Sequence, residues 1–219
     1  MPEELGKIEK PAAERFAKVR KLYLVPLVYS SKDTPAEYYE RASRYWQQVK
    51  EQLSSLEVKI GKVNRVYHEM ISLGGEEGMK VIERLNPESH QISKNKCDNG
   101  AVFEVIENDE LLSESIDWGK CLLIGLASLK VASKVSEFHF EASKKRYEFM
   151  VKRIDETLQS DEAGLLFVGE GHGLQFPNDV EVFSVFPPAL DEIHRWMRDQ
   201  AAKKQEAKPE KEQETEGSQ

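Results

Sequence analysis

The stretch 155–196 constrains the fold of this chain more than any other part. It contains an apolar run at 164–168, a glycine-rich loop at 169–173, a second apolar run at 180–186 and an amphipathic segment that begins after Pro187. Short apolar runs between turn residues are typical of buried strands, and proline is typical of the first turn of a helix. The stretch therefore predicts a strand, a loop, a second strand and a helix.

A second strong signal predicts a helix over 35–56. Apolar residues recur there at spacings of three and four, which places them on one face of a helix. Thr34 can cap the first turn, Pro35 can begin it without losing a hydrogen bond, and Glu37 can complete a capping box. The aromatic residues of this face are expected to belong to the core.

The same criteria predict most of the remaining elements. The stretch 58–71 fits both a strand and a helix, but Gly61 and its β-branched residues favour a strand over 62–70. The other predicted strands cover 21–29 and 101–106, and the other predicted helices cover 76–85, 88–95, a segment capped by Asn108 or Asp109, and 189–200.

The longest predicted helix covers 126–158 and has two apolar faces. A helix that is apolar on two sides usually lies between two layers of structure. We therefore expect it to connect the two halves of the fold. One face consists of Val131, Val135, Phe138, Ala142 and Phe149, and the other of Phe140, Tyr147, Met150, Ile154 and Leu158.

These elements predict an α/β fold with a mixed β-sheet, a long central helix and flanking helices. Residues 1–20 are predicted to form an N-terminal arm, and 21–120 an N-terminal α/β unit. Residues 121–202 would hold the long helix and the C-terminal strand-loop-strand-helix unit. Lys, Glu, Gln and Pro dominate 203–219, so this tail is expected to be disordered.

Composition argues against a membrane-spanning protein, a disulfide-rich protein and a secreted protein. The 219-residue chain has a net charge of -8 and no apolar run long enough to span a membrane. Its two cysteines argue against a disulfide framework, and its N-terminus lacks an apolar signal segment, so we predict a cytoplasmic protein.

The charges are unevenly placed along the chain. The stretch 98–119 holds seven acidic and no basic residues, whereas 120–153 holds eight basic and three acidic residues. With an overall pI of about 5.3, DNA binding is not expected. We expect two neighbouring elements that attract each other.

The loop between the two C-terminal strands is the main candidate site. A dinucleotide-binding loop needs a third glycine and a helix that begins there. Here Leu174 stands in place of that glycine, and a strand follows, so a dinucleotide site is excluded. The loop consists of Gly169, Glu170, Gly171, His172 and Gly173.

Two interpretations of this loop stay open. Glu170 and His172 could act as a catalytic acid–base pair at the carboxyl end of a strand. Alternatively, Gly169, Gly171 and Gly173 could form a ligand-binding turn, since glycine-rich loops at strand ends often carry function. The five histidines and two cysteines show no metal-ligand spacing, so no metal site and no cofactor are expected.

The segment 153–185, a helix followed by a strand, a loop and a second strand, resembles the C-terminal α/β domain of archaeal and eukaryotic-type peptide chain release factors and their bacterial relatives. Peptide release in that family depends on a Gly-Gly-Gln tripeptide. In this chain Gly74 and Gly75 are followed by Glu76. The resemblance therefore implies a ribosome- or protein-binding module that lacks the catalytic loop.

Two hypotheses follow for the function. The first is a non-enzymatic module that binds protein or ribonucleoprotein through the loop 169–173 or through the long helix. The second is a small hydrolase or transferase that uses His172 and Glu170. The sequence leaves the partner and the oligomeric state open.

Overall fold

The computed structural model of the protein describes residues 19–31 and 33–206. Residues 1–18 of the predicted arm and 207–219 of the predicted tail lie outside this range. The described residues form one five-stranded sheet, with strands β1 (Arg20–Pro26), β2 (Val63–His68), β3 (Val102–Glu104), β4 (Ala163–Val168) and β5 (Val180–Ser184). Each of these lies within or close to a predicted strand, and the ambiguous stretch 58–71 contains β2.

Six helices accompany the sheet within the described residues: α1 (Ala36–Lys59), α2 (Gly75–Leu85), α3 (Pro87–Asp98), α4 (Asp109–Leu123), α5 (Leu129–Thr157) and α6 (Pro188–Glu206). The predicted cap of α1 is wrong, because Pro35 is the N-cap and makes no side-chain capping bond. Thr34 instead accepts a hydrogen bond from the Ser31 amide at 2.8 Å.

None of the described helices is long and apolar enough to cross a membrane.

The sheet is parallel throughout and not mixed as the sequence predicted. Its strand order is β3-β2-β4-β1-β5, and every neighbouring pair of strands runs in the same direction. The sheet takes strands from both predicted units, since β1 lies between β4 and β5. The prediction failed because no helix separates β4 from β5 in sequence, whereas parallel strands are usually joined by one.

An extended crossover, residues 169–179, takes the place of that helix. It leaves the carboxyl end of β4 and returns to the amino end of β5, two strands away. Leu174 and Phe176 of the crossover pack on the same face of the sheet as α5. A thin extended segment covers less of a sheet than a helix does, so space remains between the crossover and α5.

The two faces of the sheet have different covers. One face packs against α1, α3 and α6 through a core that includes Trp46, Ile92 and Ile193. The other face packs against α5, whose Met150 and Ile154 are fully buried. Burial on both faces accounts for the nearly continuous apolar sequence of β1 and β4.

Helix α5 is covered along only part of its length. Ala142, Met150 and Ile154 are buried, but Phe140 is 69% exposed. The first half of the helix packs instead against α4, where the rings of Trp118 and Phe138 lie 4.8 Å apart. The expectation of a helix enclosed between two layers is therefore wrong for the first half. It is also wrong for the second half, which buries one face against the sheet and exposes the opposite side, where Lys145 and Lys152 lie.

Candidate functional site

The carboxyl ends of β2 and β4 define a crevice of the kind in which open α/β sheets bind ligands. After β2 the chain passes to α2 and α3, on the face that contains Ile92. After β4 it passes to the crossover, on the opposite face. Neighbouring strands whose connections leave in opposite directions create such a crevice between their ends.

The side chain of Glu69, the residue after β2, fills this crevice. Its Oε2 accepts a hydrogen bond from the amide of Gly169, the residue after β4, at 2.6 Å. The side chain of Glu69 is almost fully buried. The crevice therefore holds a carboxylate of the protein itself. This carboxylate accepts the hydrogen bond of the Gly169 amide that a bound phosphate would need, and its negative charge would repel a phosphate.

A buried ionic network holds Glu69 in place. Arg146 of α5 donates from Nη2 to Glu69 Oε1 at 3.0 Å and from Nε to Glu107 Oε2 at 2.9 Å. Its Nη2 also contacts Glu107 Oε1. The amide of Met70, whose φ is 72°, donates to Glu107 at 2.9 Å. This network joins the end of β2, the loop after β3, the helix α5 and the glycine-rich loop.

The two carboxylates of the network stabilise the charged form of Arg146. Burial alone would lower the pKa of Arg146, but its hydrogen bond to Glu107 and the charges of Glu107 and Glu69 outweigh this and raise the pKa. One guanidinium faces two carboxylates, so the cluster is anionic when all three groups are ionised. In the sequence Arg146 is one of the eight basic residues of 120–153, and the network was not predicted.

A signal for the buried arginine exists in the sequence. Arg146 belongs to a series in which every fourth residue is buried, with Ala142 before it and Met150 and Ile154 after it. A charged residue within such a series needs a buried partner. Two acidic residues, Glu69 near the end of the predicted strand 62–70 and Glu107 directly after the predicted strand 101–106, were candidates for that partner.

His68 lies beneath the crevice as a neutral buried side chain. Its Nδ1 lies 2.6 Å from the Glu69 carbonyl oxygen and its Nε2 lies 3.0 Å from the Ser89 hydroxyl. Burial lowers the pKa of His68 from 6.5 to about 4, although the bond to the Glu69 carbonyl acts in the opposite direction. His68 is therefore a structural residue that joins the end of β2 to α3.

The depressed pKa of His68 predicts a pH dependence of stability. Between pH 6.5 and about 4 the unfolded chain binds a proton at His68 that the folded chain does not bind, so stability falls as the pH falls. In the variant His68→Asn this part of the loss should be absent. Urea unfolding at several pH values measures it, and an unchanged pH dependence in the variant would contradict the prediction.

The structure separates Glu170 from His172. The Glu170 carboxylate lies 2.8 Å from His194 Nε2 of α6, and the pair is partly exposed. His172 accepts a hydrogen bond at Nδ1 from the amide of Leu174, at 3.3 Å. Burial lowers the pKa of His172 despite the charge of Glu69. The two candidate catalytic residues thus have different partners, and no hydrogen bond joins them.

The three glycines of the loop meet different surroundings. A Cβ at Gly169 would lie 3.3 Å from Glu69 Oε2, and one at Gly173 would lie 3.2 Å from the Tyr147 ring. These two glycines permit close approach. A Cβ at Gly171 would meet no atom within 4 Å. Gly171 borders open space.

That space is a groove between α5 and the crossover, with a volume of about 820 Å³. We call it the α5 groove. Its walls contain exposed rings, aliphatic side chains, the loop backbone and charges of both signs. They are formed by Phe140, Ser143, Lys144, Tyr147, Glu148, Val151, Lys152 and Asp155 on α5, and by Gly171, Gly173, Gln175 and Pro177 on the crossover.

Comparisons of the chain with family models, with curated proteins and with solved structures found no match. The resemblance to release factors therefore stays a prediction. Among the described residues, no group of three or more His, Cys, Asp or Glu side chains is arranged to hold a metal ion. The fold and the α5 groove are the features from which a function can be argued.

Proposed function

We propose that this protein is an interaction module that binds a segment of a partner protein in the α5 groove. The groove itself is the observation that supports this function. It joins the two surfaces, the loop 169–173 and the long helix, from which the sequence predicted an interaction. The crevice at the sheet, where small ligands usually bind in this class of fold, is filled by Glu69.

The shape of the groove suits a peptide in an extended conformation. Its wall on α5 runs from Phe140 to Asp155, a distance of about 22 Å at the rise of an α-helix. A strand of about seven residues has the same length. Backbone at Gly171 and Gly173 can meet the backbone of such a peptide, because neither residue places a side chain in between.

The chemistry of the walls favours a protein over a nucleic acid. Phe140, Tyr147 and Val151 offer aromatic and aliphatic contacts. Lys144 and Lys152 are offset by Glu148 and Asp155, so the groove has no excess of positive charge. Binding to a phosphate backbone depends on such an excess.

Filling the groove at Gly171 should weaken peptide binding and leave the fold intact. We would select a display library of random peptides on the whole protein and measure the affinity of the selected peptides for Gly171→Trp. The indole would extend into the groove, and the added Cβ meets no neighbour. We expect an affinity at least about tenfold lower, or ~1.4 kcal/mol.

Gly171→Ala is the matched control, because its methyl group leaves the groove open and should preserve the affinity. Thermal unfolding of both variants should resemble that of the native protein. Selected peptides that bind Gly171→Trp as tightly as the native chain would contradict the proposal, as would a library that yields no binding peptide. Binding of single-stranded RNA without any peptide would point to the ribonucleoprotein alternative.

A further inference from the structure

The outer end of the α4–α5 hairpin exposes large apolar side chains. Leu123 is 85% exposed and Ile124 is 71% exposed at the end of α4, and Leu129 is 87% exposed at the start of α5. These residues surround a single turn of the chain. Contiguous apolar surface beyond a few hundred Å² is rare on monomers and marks contact sites.

From Leu129 a stripe of four exposed residues runs along α5, with the apolar Leu129 and Phe140 at its ends and the small polar Ser133 and Ser136 between them. Their spacings of four, three and four place them on one face of the helix. All four are exposed, with Phe140 at 69%. Phe138, which contacts Trp118 of α4, is two positions from Ser136 and Phe140, or about 200° around the helix. The stripe therefore faces away from α4.

We infer that this stripe binds the same stripe of a second copy of the chain, with the two α5 helices antiparallel. In that arrangement Leu129 of each copy lies opposite Phe140 of the other, and Ser133 lies opposite Ser136. The serines let the two helices approach closely at the centre, and the large side chains fill the space at both ends. The interface is isologous, as expected for a two-fold dimer.

The charges beside the stripe determine the direction of pairing. Lys130 and Glu137 are exposed and lie on the same side of the stripe, and Glu137 also contacts Lys134 of its own helix at 2.6 Å. Antiparallel pairing brings Lys130 of each copy next to Glu137 of the other, which forms two ion pairs. Parallel pairing would instead place Glu137 next to Ala132 of the second copy and form none. The helix surface is thus complementary to itself in the antiparallel direction.

The dimer goes beyond the proposed function and shares Phe140 with the α5 groove, so it is tested with residues that lie outside that groove. Sedimentation equilibrium of the whole protein over a range of concentrations should show a monomer–dimer equilibrium. Lys130→Glu alone and Glu137→Lys alone should each raise the dissociation constant about tenfold, since each replaces two surface ion pairs with two repulsions. The double variant Lys130→Glu/Glu137→Lys should restore the native value.

Two controls separate this pairing from a general effect of charge. Lys145→Glu, at an exposed position of α5 outside the stripe, should leave the dissociation constant within twofold of the native value. Leu129→Glu should give a monomer with native thermal stability, because Leu129 is 87% exposed in the single chain. A native protein that stays monomeric at every concentration overturns the inference, as does a double variant no tighter than either single variant. Neither result would affect the test of peptide binding at Gly171.

Discussion

Replacing Arg146 with methionine should cost about 3–5 kcal/mol of folding stability, because the change leaves two carboxylates without their counter-ion in a buried site. Arg146 and Glu107 are less than a tenth exposed, and their contacts include two hydrogen bonds in addition to the charge interaction. Methionine has a similar length and fills much of the same volume, so lost packing contributes little. Denaturant unfolding followed by tryptophan fluorescence measures the difference.

The matched control is Lys144→Met, two positions away on the same helix. Lys144 is 65% exposed and its distance to Glu148 is 3.9 Å, so its removal should change stability by less than about 0.5 kcal/mol. Because Glu69 also binds the Gly169 amide, Arg146→Met should in addition increase amide exchange in the loop 169–173. Equal stabilities of the two variants would show that the network does not stabilise the fold.

A comparison of Arg146 with its neighbours shows what could not be predicted from the sequence. Lys144, Lys145 and Arg146 look alike in sequence, but Lys144 and Lys145 are exposed and Arg146 is buried. Arg146 differs only in its position on the buried side of α5. Its two partners follow β2 and β3, so they are far from it in sequence. A buried ionic network requires the three-dimensional pairing of elements, which no local pattern encodes.

Local patterns predicted the elements well because each element buries its own face. The spacing of apolar residues placed α1 within a few residues, and the apolar run before Gly169 placed β4. Strand order and direction were not accessible in this way. The pairing of β1 between β4 and β5 depends on the extended crossover 169–179, whose sequence has neither helical periodicity nor the two-residue turn of a hairpin.

The loop 169–173 stays a predicted site, and the structure shows which residues surround it. Sequence interpretation selected the loop 169–173, and the structure places that loop at the crevice and beside the α5 groove. The proposed roles of Glu170 and His172 required them to meet, which a sequence cannot establish. Glu69 was not selected, because a single carboxylate after a strand has no motif of its own.

Removing the side chain of Trp46 should have an effect as large as the loss of Arg146. Trp46 is 1% exposed, and its ring lies 5.1 Å from that of Tyr45 and 6.3 Å from that of Phe167 of β4. Phe167 in turn lies 5.5 Å from the ring of His68. Trp46→Ala should therefore cost about 3–5 kcal/mol through the cavity it leaves.

Two further variants separate packing from hydrogen bonding at this position. Trp46→Phe retains a ring but loses the Nε1 donor to the Val28 carbonyl, which also accepts a bond from Asn86 at 3.0 Å. Because that carbonyl keeps a partner, this variant should cost only about 1 kcal/mol.

Trp196→Ala is the control for deleting an indole that is only partly buried. Its ring packs on Tyr38 and its Nε1 donates to Glu37 at the surface, so we expect a loss of about 1 kcal/mol. Urea unfolding of the three variants gives the comparison. If Trp46→Ala were no more destabilising than Trp196→Ala, the core between α1 and β4 would not support the carboxyl edge of the sheet. The carboxyl edge of the sheet would then depend on the Arg146 network. In that case Arg146→Met would lose more stability than Trp46→Ala.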